Sequence, residues 1–160
     1  YYTGIGLYSE KHKSLDEIPQ KARISIMNDA MNMDKGLRML EDAGLITLDK
    51  SKKGAYTILD IKENPKNIEI IEMDQAQTVK SLDELDASVV FFTHMRNAGK
   101  DYTKYLFRDQ DAKDYPIALV VKKGNENMPW AIALAESLRS EEAVKVINEH
   151  FGGVFTIYED

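Results

Sequence analysis

The strongest structural signal in the chain is an abrupt change of hydrophobic period at Met27. Before it, ARISIM (22–27) has the short, β-branched, apolar character of a strand; after it, Ala30, Met33, Leu37, Leu40 and Ala43 recur at intervals of three and four. That spacing gathers apolar side chains on one helical face. Asn28 or Asp29 can cap the helix start, and Gly44 follows the last periodic residue as a stop. The opposite face carries Met31, Lys35, Arg38 and Asp42, of which Met31 and Lys35 lie near enough to the helix start for a ligand to reach. Strand-like runs recur at NIEIIEM (67–73) and ASVVFF (87–92), again separated by helical periodicity. Strands alternating with amphipathic helices imply an α/β fold.

The remaining segments fit that frame. The tetrapeptide SLDE occurs at Ser14 to Glu17 and again at Ser81 to Glu84, and each copy fits a capping box at a helix start. ENPKN (63–67) is expected to end a short helix and turn into the next strand, because the residue before proline avoids helical angles. KSKKG (50–54) and RDQDAKD (108–114) read as exposed connections, YPIALVVKKG (115–124) as a strongly apolar strand, and residues 128–151 as two helices broken near Ser140.

Composition narrows the function. A chain of 160 residues with 43% hydrophobic content supports one ordinary domain. The net charge of −6, with both signs interspersed, leaves no extended positive field for phosphates, which argues against nucleic-acid binding. No run approaches the roughly 18 apolar residues of a membrane helix. The opening YYTGIGLYSEKHK lacks the pattern of a signal peptide. The absence of cysteine excludes disulfides, thiolate metal sites and cysteine nucleophiles.

Catalytic and metal constellations fail on inspection. His12, His94 and His150 have no zinc-type spacing. The run from Asp109 resembles a calcium loop only until Lys113, Asp114 and Val120 fall where a ligand, a glycine and a bidentate glutamate belong, so a solvated acidic loop is expected there. Asp83 and Asp86 are explained by capping, and GIG (4–6) by a close passage of strands. Neither a nucleophile elbow nor a phosphate loop is present, so the sequence offers no enzyme site and calls for no cofactor.

Four segments in order, GIGLYSEKHKSLDEIP, ISIMNDAMNMDKGLRMLEDAGLITL, ENPKNIEIIEMDQAQTVKSLDELDASVV and YPIALVVKKG, carry a resemblance. From about Ile5 to Val154 the chain resembles the NLPA family, the methionine-binding lipoproteins that serve as substrate-binding components of bacterial ABC importers. The resemblance implies a periplasmic-binding-protein type II lobe with crossover strands and C-terminal helices: residues 1–9 as an outgoing crossover strand, 10–114 as a second lobe, and 115–160 as the returning strand and helices of a first lobe. It also implies that most of the first lobe, the lipid-bearing cysteine and the signal peptide precede Tyr1. The full-length protein is then extracytoplasmic and anchored to the cell membrane by lipid. Its partners are a small-molecule ligand and an importer permease and ATPase. The exposed face of the C-terminal helices could pair with the second lobe or with another copy of the fragment.

The resemblance also implies where a ligand lies. Family members read like NDPTNEGRALLLL where this chain has NDAMNMDKGLRML, and their carboxylate-binding arginine falls on Lys35. Lysine keeps the charge without the planar fork. A family asparagine after the last strand of the lobe falls on Phe91, and a second, on the returning strand, falls on Ile117. The implied pocket is more apolar than usual: Met31, Phe91, Phe92 and Tyr115 would line it, Lys35 would take an anionic group, and Thr93 or His94 would supply hydrogen bonds, an arrangement that disfavours free methionine in the family's usual pose. Asn28 and Asn32 stand at the helix start as cap or ligand contacts, Lys35 as ligand anchor or ordinary helix lysine, and His94 as pocket donor or exposed loop residue. Two functions follow: an importer's solute receptor, or a receptor-derived interaction or assembly module without a transport ligand.

Overall fold

The structure, a computed structural model, describes residues 1–158. Its strands are β1 (Tyr2–Thr3), β2 (Ile5–Tyr8), β3 (Arg23–Met27), β4 (Thr47–Leu48), β5 (Ile61–Glu63), β6 (Glu69–Met73), β7 (Ala87–Phe91), β8 (Phe107–Arg108) and β9 (Phe155–Thr156). Its helices are α1 (Ala30–Asp42), α2 (Gln75–Thr78), α3 (Phe92–Asn97), α4 (Pro129–Arg139) and α5 (Glu141–Phe151), with short 3-10 turns between. Contacts divide the chain into two units, Gly4–Gln110 and a second made of Tyr1–Thr3 with the residues from Asp111 onward. Among the described residues no helix is long and apolar enough to cross a membrane.

The larger unit is built on a five-stranded mixed sheet of order β6-β3-β7-β2-β8. β3 pairs in parallel with β6 and with β7, whereas β2 runs antiparallel to both β7 and β8. A central strand covered on both faces must be apolar throughout, and Ile24, Ile26 and Met27 are fully buried. The one polar interruption, Ser25, is satisfied internally. Its hydroxyl bonds those of Ser88 and Ser81, and Ser88 donates in turn to the Thr78 carbonyl at 2.7 Å.

Helix α1 packs its Met33, Leu37 and Leu40 side into this core, as the three-and-four spacing predicts. Each such side chain contributes about 1.5–3 kcal/mol on full burial. Gly36 lets the helix lie close, since a Cβ there would stand 3.6 Å from Val89 and 3.9 Å from Ile26. The close strand passage expected at GIG is also present: a Cβ on Gly6 would meet the Tyr8 ring at 2.8 Å.

Several local expectations are corrected. Neither SLDE copy is a capping box: Ser14 caps nothing with its side chain, and Ser81 sits inside a 3-10 turn with its hydroxyl bonded to the Thr78 carbonyl and to Ser25. Glu17 reaches back past the cap position, accepting from the Lys13 N–H at 2.7 Å where the motif would have it serve Ser14. ENPKN follows strand β5, not a helix, and turns through Asn67 in the left-handed region while Asn64 bonds both the N–H and the carbonyl of Ile68. Phe92, read as the end of a strand, is the first residue of α3.

The smaller unit holds the two-stranded β1–β9 sheet and the pair α4 and α5. The break at Ser140 falls where the sequence puts it, and the Ser140 hydroxyl caps α5 by accepting from Ala143 N–H at 3.2 Å. The apolar run 115–124 forms no strand. Alternating apolar sequence needs a neighbouring backbone to pair with, and here Ile117 makes a single such bond, to the Tyr1 carbonyl at 2.8 Å. Trp130, Ile132, Leu134, Leu138 and Val120 are exposed. A hollow of about 520 Å³ opens between Ile117, Leu119, Leu138 and Tyr158.

Candidate functional site

One edge of the larger unit collects most of the residues singled out from sequence. The parallel strands β3, β6 and β7 end there at Met27, Met73 and Phe91, which is the end where open α/β sheets bind ligands. Because β2 and β8 run in alternating directions, the start of β2 and the end of β8 come to the same edge: Ile5 lies opposite Phe91, and Gly6 opposite Arg108.

The β3–α1 junction supplies the first group. Asn28 is exposed and its N–H bonds the Met73 carbonyl at 2.9 Å, tying the turn to the end of β6. Asp29 is the cap. Its carboxylate accepts from the Asn32 backbone N–H at 3.1 Å and from the Asn32 amide at 2.9 Å, so the Asn32 side chain serves the cap. Met31 is 69% exposed beside them. The second group follows β7: Phe91, Thr93 and His94 are half-buried, with the Phe91 and His94 rings 6.2 Å apart, while Phe92 is buried. Phe92 stacks on Tyr105 and faces Tyr102, so of the two phenylalanines it is the one given to packing.

Lys35 does not lie on the outer face of α1. It is 3% exposed, and its ammonium stands 2.8 Å from Oδ2 of Asp109, itself 2% exposed. Asp109, placed by sequence in a solvated acidic loop, is instead buried next to the end of β8, where its N–H bonds the Ile5 carbonyl at 3.1 Å. Arg108 flanks it with a guanidinium nitrogen 3.8 Å from Oδ1 and lies over the Phe92 ring at 5.1 Å. Space for this carboxylate depends on Gly4: a Cβ there would stand 2.9 Å from Oδ1 and 2.7 Å from the Phe92 ring. Asp109 is the residue that sequence reasoning missed. The available signal was an acid two residues after the apolar pair Leu106 and Phe107, just past Arg108, against a lysine far away in the chain.

Nearby, burial drives the Tyr8 hydroxyl far above the usual phenol range, and it donates to the Tyr102 carbonyl at 2.5 Å. Tyr8 therefore stays neutral and structural. Tyr115 and Ile117 belong to the smaller unit, the first half-buried and the second 42% exposed against the hollow there.

The solved structures similar to this chain include substrate-binding proteins of transporters. The substrate-binding protein of a methionine transporter from Streptococcus pneumoniae superposes with a TM-score of 0.85 at 38% identity, covering 96% of this chain and 64% of that one. A nutrient-binding protein from Burkholderia cenocepacia, bound to methionine, gives 0.84 at 32%, covering 96% and 66%. A family description, NlpA lipoprotein, matches residues 1–157, and the chain belongs to that family. Among its relatives are the probable D-methionine-binding lipoprotein MetQ of Vibrio cholerae, 32% identical over 93% of this chain, and the methionine-binding lipoprotein MetQ of Bacillus subtilis, 33% identical over 93%. The chain spans 56% of the length of each.

Proposed function

We propose that the protein is the ligand-binding lobe of an ABC importer's substrate-binding component, extracytoplasmic and lipid-anchored in its full-length form, taking an amino-acid-like or more apolar small molecule. The observation that carries this reading is the likeness to the Streptococcus pneumoniae receptor, which runs through 96% of the chain. The strand edge of the larger unit has the character of a recognition site: the aromatic Phe91, the flexible and exposed Met31, and the polar Asn28, Thr93 and His94 converge there. The exposed apolar face of α4 in the smaller unit fits a surface that the remaining length of a complete receptor would cover. Permease and ATPase partners follow from the receptor role. The assembly-module alternative is not favoured, since the relatives are transport receptors.

A thermal-shift screen of the full-length protein with L- and D-methionine, other amino acids, dipeptides and aromatic heterocycles tests the proposal. A ligand at a hundred times its Kd stabilises by about 2.7 kcal/mol, a rise of several degrees. A flat screen across all these classes refutes it.

A further inference from the structure

We propose that the hairpin of β4 and β5 is a docking surface for a protein partner, with Leu59 as its apolar anchor and Lys53 and Lys62 as the charges that accompany it. On the receptor reading, which this inference rests on and deepens, the partner is the importer permease, offering an apolar socket with carboxylates at its rim.

A single exposed leucine is ordinary on a protein surface. Leu59 differs in being both the most exposed large apolar side chain among the described residues, at 90%, and fixed. It stands in the 3-10 turn Ile58–Asp60, which a complete capping box closes: the Asp60 carboxylate accepts from the N–H and the hydroxyl of Thr57 at 2.7 and 2.8 Å. The Lys52 ammonium bonds the same carboxylate at 2.7 Å, and the Asp49 N–H bonds the Asp60 carbonyl at 2.9 Å. On either side Ile58 and Ile61 pack against the core, and Tyr56 is buried with its N–H on the Asp34 carboxylate at 2.8 Å and the Arg38 guanidinium over its ring. The turn is thus anchored to α1 while Leu59 alone of its apolar residues faces water. Little conformational freedom is left to lose when a partner covers it. The adjoining Gly54 and Ala55 are exposed and small, which leaves room for an approaching surface.

The charges decide the kind of partner. Lys50 is paired with Glu41 and Lys52 with Asp60, whereas Lys53 and Lys62 are exposed and form no ion pair among the described residues. The four lysines of the hairpin are met in number by Glu41, Asp49, Asp60 and Glu63, so it has no net positive field to hold an anionic lipid surface. A second copy would bring the same lysines to a two-fold contact. A partner with one or two carboxylates placed around an apolar socket satisfies both the leucine and the unpaired ammoniums.

Photo-crosslinking from the anchor tests this in the full-length protein expressed in its own cells. Leu59→p-benzoylphenylalanine keeps an apolar side chain at an exposed position, where substitution disturbs the fold little. The same residue at Lys104, 81% exposed on the same unit, is the reference. Adducts are identified by mass spectrometry. Position 59 is expected to give a permease adduct at least tenfold above that from position 104, and Lys53→Glu in the same protein should lower it severalfold. Adducts to phospholipid or to a second copy in place of the permease, equal yields from the two positions, or a yield that Lys53→Glu leaves unchanged overturn the proposal. The ligand screen separates the two readings: a stabilising ligand without a permease adduct overturns the docking surface alone, and neither ligand nor adduct overturns both.

Discussion

Removing one member of the Lys35–Asp109 pair should be among the most damaging single changes in the larger unit. Both side chains are almost wholly withdrawn from water, at 3% and 1% exposure, so each depends on the other for compensation. Lys35→Met would leave the Asp109 carboxylate with no hydrogen bond of good geometry and only a screened guanidinium at 3.8 Å. Breaking a buried pair in this way costs about 3–5 kcal/mol, and Asp109→Asn, which takes the counter-charge from the ammonium, should cost about the same. The double change removes both charges and should be close to neutral or stabilising, because an apolar replacement no longer carries the desolvation of two ions. The single costs would sum to roughly 6–10 kcal/mol, and the double variant should recover nearly all of it. Native-state hydrogen exchange at the amides of β3 and β7 reads the opening free energy of this unit directly. Single variants that cost less than about 1 kcal/mol, or a double variant that costs the sum of the singles, would refute the reasoning.

Other outcomes follow from neighbouring features. Gly4→Ala should destabilise the same unit by about 1–3 kcal/mol, read from the urea midpoint, because the added methyl meets both Phe92 and Asp109 inside contact distance. Asp60 is bonded by the Lys52 ammonium and by the N–H and hydroxyl of Thr57, which hold its carboxyl down at about 2. Its folded value lies below the unfolded one of about 3.9, so its contribution is complete above that pH and is lost as pH falls toward 2. Amide protection across residues 49–60, taken relative to the intrinsic exchange rate at each pH, should therefore fall in that acid window, and Asp60→Asn should remove that part of the fall. Ser88→Ala should cost about 1–2 kcal/mol by chemical denaturation, since it strips a donor from the Thr78 carbonyl and a partner from Ser25; no change in midpoint would show that the remaining Ser81 bonds suffice.

Periodicity made the larger unit readable because its elements bury one face or both. ARISIM, NIEIIEM and ASVVFF became β3, β6 and β7, and α1 ended at the glycine that its sequence offered. Segments whose conformation is decided by a distant partner were not readable. YPIALVVKKG has the composition of a strand, but composition supplies no neighbour, and it forms no strand, with Ile117 bonding the Tyr1 carbonyl. SLDE matches a local rule at both places, yet Ser81 was claimed by Ser25 across the sheet. The site was legible in part: resemblance pointed to Lys35, whereas its counter-ion lay in a run of charges that looks solvated from sequence. A buried ion pair joins two residues that each resemble surface charge until the fold sets them together.

The placement of β2 bears on the order of folding. β3, β6 and β7 can assemble from residues that follow one another along the chain, but β2, though it precedes them, lies between β7 and β8, has no sheet partner until β7 exists, and is flanked on both sides only once β8 does. Its apolar Ile5 and Leu7 therefore wait, uncovered, through synthesis of nearly the whole unit, and closing so long a loop makes this the slow step. A polypeptide emerging from a ribosome or a translocation channel would carry that strand as an open, aggregation-prone segment until Phe91 had followed it out, an interval in which a chaperone holding β2 would matter more than at any later stage.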